Sequence, residues 1–302
     1  MAWPAVVLIL ISAVMHTAWN SIAKKCDTGP AFFAISTGVS VALFIPLVPW
    51  CWPLITTLPA EFWTVFALTI ASQTAYFYFL GKGYACGELS VVYPIARSYP
   101  IIVVTAVGFM FGQTPTLPAL AGVIMVVAGC FLVQIRRFSE WNVRRFLQMA
   151  SIFALLAACG SAGYSICDKY NMGIMAQTNA ALVQPVNAAV VPLCYNWLIS
   201  APLSLTLFAI ALRNPARIRE TMRCFRGRAA LVGILTFAAY ALVLAAMQFV
   251  ANVSYVVAFR QVSILLTVSA GIFLLGEERN APKIVGAVVM FTGLMLVGIF
   301  GR

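Results

Sequence analysis

Charge is scarce in this chain, and acid scarcest of all. Eight Asp and Glu stand against nineteen Lys and Arg in 302 residues, with a single histidine. Charged residues make up 9% of the total, where an ordinary soluble domain carries about 25%. That shortage excludes a soluble fold with a solvated surface. Motifs of energy coupling and hydrolysis are missing too. There is no G-x-x-x-x-G-K-[ST] loop and no H-E-x-x-H, and no polar stretch is long enough to house ATP chemistry. The eight cysteines stand singly at 26, 51, 86, 130, 159, 167, 194 and 224, with no C-x-x-C pair. They read as small buried apolar side chains rather than as a metal or redox centre. An enzyme would need an acid, base or nucleophile set converging on one site. The lone histidine has no acidic partner within its helix, so the chain reads as a non-enzyme without cofactors.

What is abundant is apolar sequence. The hydrophobic fraction is 63% and the mean hydropathy +0.97. Lipid accommodates such a chain, and about 20 apolar residues cross it. Ten spans are expected, at about 4–23, 30–50, 62–81, 89–111, 117–135, 147–168, 183–212, 229–250, 253–275 and 282–300. Turn chemistry or charge separates them, as at Asp27-Thr28-Gly29-Pro30 and Gly112-Gln113-Thr114-Pro115. The first run has no basic leader and is long enough to span, so it reads as a helix rather than a cleaved signal.

Basic residues punctuate the gaps, which argues for membrane topology and against nucleic acid. Fifteen of the nineteen flank the odd-numbered gaps, six of them in the loop from Arg213 to Arg228. Only Lys169 and Arg302 mark the other side. The positive-inside rule then puts the odd gaps in the cytoplasm and both termini outside a bacterial-type inner membrane.

The chain also repeats itself. A shift of 164 residues lays Tyr76 on Tyr240, Ser90 on Ser254, Gly112 on Gly276, Pro118 on Pro282, Gly122 on Gly286 and Gly129 on Gly293, without a gap. A shift of 144 lays Ala18, Ser21, Ile22 and Lys25 on Ala162, Ser165, Ile166 and Lys169. Each repeat, 1–145 and 146–302, holds five spans. Five is odd, so the second must enter the membrane inverted. Inverted repeats mark transporters that alternate access around a midplane site. The expected fold is therefore all-α, ten transmembrane helices in two inverted five-helix repeats.

Two stretches carry a family resemblance. One runs from Leu89 through Tyr93, Pro94 and Arg97 to Pro100, followed by Gly112, Gly122 and Gly129. The other runs from Val253 through Arg260 and Gln261 to Ile264, followed by Gly276, Glu277, Gly286 and Gly293. With His16-Thr-Ala-Trp19-Asn20 in the first helix, the chain resembles EamA-type members of the drug/metabolite transporter superfamily over nearly its whole length. The resemblance implies two inverted five-helix bundles around a central cavity and, for bacterial members, export of amino acids and other metabolites.

Arg97 and Arg260 are the sharpest site candidates. An arginine at mid-bilayer costs about 2.5–3.5 kcal/mol on insertion scales. The eight acids all fall in loops or near the ends of the expected spans, so neither arginine gains a carboxylate within the membrane. The two should face a watery cavity or an anionic solute, which a guanidinium holds well. His16, Trp19 and Asn20 share one helix face. Tyr76, Tyr78, Tyr93, Tyr164 and Tyr240 offer ring faces and hydroxyls within spans, and Gln261 stands beside Arg260. These eleven residues form the expected solute site. Capping of helix carbonyls by the arginines and ordinary helix packing by the rest are the competing explanations. Lys25 and Lys169 read as residues snorkelling to the interface, and the repeated glycines as close-packing positions.

The function that follows is a secondary carrier, expected to export a small amino-acid-like, anionic or zwitterionic metabolite across the cytoplasmic membrane by alternating access around a central cavity. Its partners would be that solute, membrane lipids, and a coupling proton or counter-solute. Two alternatives stay open. One is efflux of amines or organic cations, although small multidrug relatives use a first-helix carboxylate that is absent here. The other is a membrane scaffold that transports nothing.

Overall fold

A computed structural model describes residues 1–23, 26, 29–86, 89–133, 135, 137–138, 148–179, 190–274 and 280–301; at 84, 89–91, 93, 94, 270, 271, 273 and 274 it describes backbone alone. Every regular element among the described residues is helical. In order these are α1 (Trp3–Ala23), α2 (Pro30–Leu43), α3 (Val48–Thr56), α4 (Ala60–Cys86), α5 (Leu89–Met110), α6 (Leu117–Leu132), α7 (Met149–Thr178), α8 (Val190–Ala211), α9 (Pro215–Glu220), α10 (Arg226–Met247), α11 (Val253–Phe259), α12 (Val262–Leu274) and α13 (Ala281–Phe300).

Five stretches are long and apolar enough to cross a membrane: α1, α7, α8, Pro215–Met247 and α13. The pair Pro30–Leu43 and Ile45–Thr56, bent by 45°, makes a sixth if counted as one span. The bend falls at Pro46, where a short 3-10 turn covers Ile45–Leu47. Proline lacks an N–H and breaks the helical ladder there. Large apolar side chains such as Trp3, Met110, Phe111, Leu117 and Leu205 stand exposed on the outside of the bundle. That surface fits a multi-pass membrane protein, in which lipid covers it.

Local chemistry sets the helix starts. Thr116 caps α6 by accepting from the Ala119 N–H at 3.4 Å, and Asn280 caps α13 by accepting from the Lys283 N–H at 3.0 Å. Each has proline two residues on, where its missing N–H costs nothing. Small residues set the packing. A methyl group on Gly122 would lie 2.6 Å from the Gly293 carbonyl, and one on Gly129 would lie 2.7 Å from that of Gly286. The backbones of α6 and α13 therefore touch directly, as small residues permit. Gly160 brings α7 onto α4 in the same way, 2.7 Å from the Ser72 carbonyl. The most extensive packing is between α4 and α7, α6 and α13, α1 and α10, and α2 and α8.

Three expectations need correction. The sixth span was expected to end at 168, but α7 continues to Thr178, so Asp168 lies inside the helix and is fully buried. Polar residues beyond 168 broke the apolar run in sequence, while in the fold Asn171 is buried and its amide donates to Tyr195 of α8. The cysteines are not all single: Cys51 of α3 and Cys194 of α8 form a disulfide across 143 residues. No spacing rule reaches that far. Lys169 does not snorkel; its Nζ donates to the Met247 and Val250 carbonyls, both at 2.6 Å, at the end of α10. These acceptors lack helical partners, and a cation satisfies them. Lys24, Lys25 and Gly276 lie outside the described residues.

Candidate solute-binding cavity

A cavity of about 90 Å³ lies among α1, α2, α4, α5, α7, α8 and α10 and the turn after α11. Seven of the eleven expected residues line it: His16, Trp19, Tyr76, Arg97, Tyr164, Tyr240 and Arg260. Gln261 lines a smaller annexe that shares Tyr76, Arg97, Tyr164 and Arg260 with the main cavity. Asn20 and Tyr78 are not among the lining residues. The Asn20 side chain donates to its own helix at the His16 carbonyl, 2.7 Å away, and the Tyr78 ring packs under the Lys82 ammonium at 4.9 Å. The Tyr93 side chain lies outside the described residues.

The two arginines reach the cavity from different backbones. Arg97 projects from within α5, whose helix is continuous from Leu89 to Met110. Arg260 sits with Gln261 in a two-residue turn between α11 and α12. Around that turn, Ser263 donates to the Arg260 carbonyl at 3.0 Å and Thr17 to the Ser263 carbonyl at 3.2 Å. Irregular backbone at membrane depth is tolerated where protein or a cavity satisfies it. The Arg260 guanidinium lies 5.9 Å from the centre of the Tyr240 ring.

His16 adds a third donor. It is 6% exposed, and its Nδ1 accepts from the Trp19 indole N–H at 2.8 Å. Indole can only donate, so the neutral imidazole must carry its proton on Nε2. That Nε2 is buried without a hydrogen-bond partner among the described residues. A buried donor left unmade costs about 1–3 kcal/mol. An acceptor atom arriving in the cavity would remove that cost. Two guanidiniums and one N–H thus point the site's polarity toward an oxygen-bearing anion.

The polar wall opposite was less legible along the chain. Ser36, Thr37, Ser40, Gln73, Asn196, Ser200 and Thr236 line the cavity beside Phe33, Phe77 and Phe237. Gln73 and Asn196, as amides inside apolar runs, were the signals available. Asn196 is engaged structurally, donating to the Phe237 carbonyl at 2.8 Å.

Asp168 is the largest omission. Behind the cavity wall, its Oδ1 accepts from Thr69 at 3.0 Å and from Tyr195 at 2.9 Å, and its Oδ2 accepts from Tyr240. It does not line the cavity, and Tyr240 stands between. Arg260 is close enough for its charge to act on both Asp168 and His16.

No family model matches the chain, and no curated protein sequence does. Among solved structures, a protein crystal structure aligns over 99% of this chain and 98% of its own, with a TM-score of 0.70 at 12% identity. Likeness at that identity concerns the fold alone.

Proposed function

We propose that this protein is a secondary carrier that exports a small amino-acid-like, anionic or zwitterionic metabolite across the cytoplasmic membrane. The observation that carries the reading is the cavity in which Arg97, Arg260 and the unpartnered His16 N–H converge. The solute's acid group sits among those three, and its body lies against Trp19, Tyr76 and Tyr240. Efflux of an organic cation is the weaker reading. The carboxylate it would want, Asp168, is walled off from the cavity and already accepts three hydroxyl hydrogen bonds.

In this reading the chain is an EamA-like member of the drug/metabolite transporter superfamily, with ten helices in two inverted repeats that rock around the solute. The packing pattern supports it. The 144 and 164 shifts exchange α1 with α7 and α4 with α10, so the pair α4–α7 maps onto α10–α1. The pairs α6–α13 and α2–α8 map onto themselves, and the contact of Gly122 with Gly293 maps onto that of Gly286 with Gly129. Orientation has support as well. The Cys51–Cys194 disulfide lies at the end of the bundle poor in basic residues, and disulfides persist in oxidising compartments. The cavity lies toward the other end, reaching Trp19, Phe33 and Gly233, and under the proposed orientation it faces the cytoplasm.

Reconstitution in sealed liposomes tests the reading. Flux of an acidic solute should fall about 10–100-fold in Arg97→Gln or Arg260→Gln, the worth of a charged hydrogen bond, while a neutral analogue changes little. Equal flux of both analogues in parent and variants would overturn the anion site. No flux of any metabolite across a broad panel would favour a scaffold.

A further inference from the structure

The carboxylate of Asp168 has no role in holding the solute, yet the fold goes to some length to bury it. It is 0% exposed and lies ten residues before the end of a 30-residue helix. A structural carboxylate in an apolar setting is an expensive way to join three hydroxyls, because an amide or a hydroxyl would serve without a charge to desolvate. Its surroundings are also uneven. Tyr195 is locked as a donor to Asp168, since its own oxygen accepts from the Asn171 amide at 3.2 Å. Among the described residues Tyr240 has no such lock, and of the three hydroxyl partners of Asp168 found there it alone lines the cavity.

A proton arriving on Oδ2 would reverse that contact. Ionised, Asp168 can only accept, so Tyr240 donates to it. Protonated, Asp168 donates to the Tyr240 oxygen, and the Tyr240 hydroxyl hydrogen is released to turn toward the cavity. The same event removes the negative charge that offsets Arg260. Both consequences favour an anion beside Arg97, Arg260 and His16. We propose that Asp168 binds a proton together with the anionic solute, and that Tyr240 couples the two sites. The proton comes from water and returns to water when the solute leaves.

The groups facing Asp168 are consistent with this role. They are Thr69 from α4, Tyr195 from α8, Tyr240 from α10, and Arg260 at the end of α11. On α7 itself are Cys167, Tyr164 and Lys169, the last turned to the α10 carbonyls. α5 contributes Arg97 on the cavity side. Arg260 is thus the cation whose field reaches both the carboxylate and the solute. Coupling between two sites is reciprocal, so the solute must tighten proton binding by the same factor as the proton tightens solute binding.

The inference rests on the anion-carrier reading, and its test separates the two. Benzoate is the probe, with benzamide as its neutral isostere, on the full chain in lipid nanodiscs. Benzoate should bind about tenfold more tightly at about pH 6 than at about pH 8, with benzamide unchanged. Calorimetry in buffers of different ionisation enthalpy should count roughly one proton taken up per benzoate at the higher pH. In Asp168→Asn, whose amide donates to Tyr240 as the protonated acid would, affinity should be pH-independent and proton uptake absent. Tyr240→Phe should keep the carboxyl band that infrared difference spectra assign to Asp168 on acidification, yet weaken the pH dependence of benzoate binding to the part that the Arg260 field alone carries. Proton uptake that survives Asp168→Asn overturns the proposal and leaves the carrier reading standing. Failure of benzoate to bind the parent at any pH overturns the anion site itself. If Asp168→Asn does not fold, the infrared band of the parent and the Tyr240→Phe titration decide: an unchanged benzoate pH dependence in Tyr240→Phe sinks the coupling.

Discussion

The α4–α7 and α1–α10 pairs occupy corresponding positions under the two sequence shifts, and they differ in chemistry. In α4–α7, Gly160 lets the backbones meet, and below it Asp168 gathers Thr69, Tyr195 and Tyr240. In α1–α10, position 16 corresponds to 160 and holds histidine, whose ring lines the cavity. That pair is tied instead by Ser12 donating to the Ala239 carbonyl at 2.7 Å. Position 20 corresponds to 164, yet Asn20 folds onto its own helix while Tyr164 lines the cavity. One packing geometry therefore carries two chemistries. The first pair holds a buried acid away from the cavity, and the second presents a donor to it.

The largest effect should come from filling the close contact on one side only. Gly160→Leu puts a branched side chain where even a methyl lies 2.7 Å from the Ser72 carbonyl and 2.9 Å from the Tyr76 nitrogen. Backbone cannot yield as a side chain can, so loss of monodisperse protein on size-exclusion chromatography is expected. His16→Leu, at the corresponding place, should fold and lose solute binding. If both variants fold equally well, the asymmetry between the pairs is not real.

Next is Asp168→Ala, which leaves three hydroxyls without their acceptor. Each unsatisfied buried group costs about 1–3 kcal/mol, partly relieved by relaxation. A fall in Tm well beyond that of Ser12→Ala should follow. Ser12→Ala removes a single neutral hydrogen bond, worth about 1 kcal/mol. Comparable melting shifts would mean that the acid adds nothing to the α4–α7 pair beyond an ordinary contact.

The smallest effect sharpens the donor side. Trp19→Phe keeps the ring but removes the indole N–H that holds His16 Nδ1 as an acceptor. His16 can then place its proton on either nitrogen. Solute affinity should weaken by about 2–10-fold, the worth of one neutral hydrogen bond, without loss of Tm. An unchanged affinity would show that tautomer control at His16 is irrelevant to binding.

Much of this arrangement could be read along the chain because it depends on isolated departures from apolar sequence. A guanidinium inside a hydrophobic run is conspicuous and has few places to go, so Arg97 and Arg260 announced a cavity. Tyr76 and Tyr240 were legible from the repeat. Asn20 and Tyr78 stand off the cavity for one reason: a shared helix face or an aromatic cluster does not say which side of the helix the neighbours leave open. Asn20 found a carbonyl one turn back, and Tyr78 found Lys82.

The sequence alone determined that the chain is helical and apolar, where its charges cluster, and which glycines had to be small. Those properties are local, set by side-chain transfer energies and by periodicity within one segment. Only the tertiary structure decided the fate of Asp168. In sequence it closes an apolar run and looks like a loop residue. Its burial depends on Thr69, Tyr195 and Tyr240, brought from three other helices. The Cys51–Cys194 disulfide was hidden for the same reason. A buried charge and a long-range covalent bond are both properties of what packs around a residue, and no single helix contains that information.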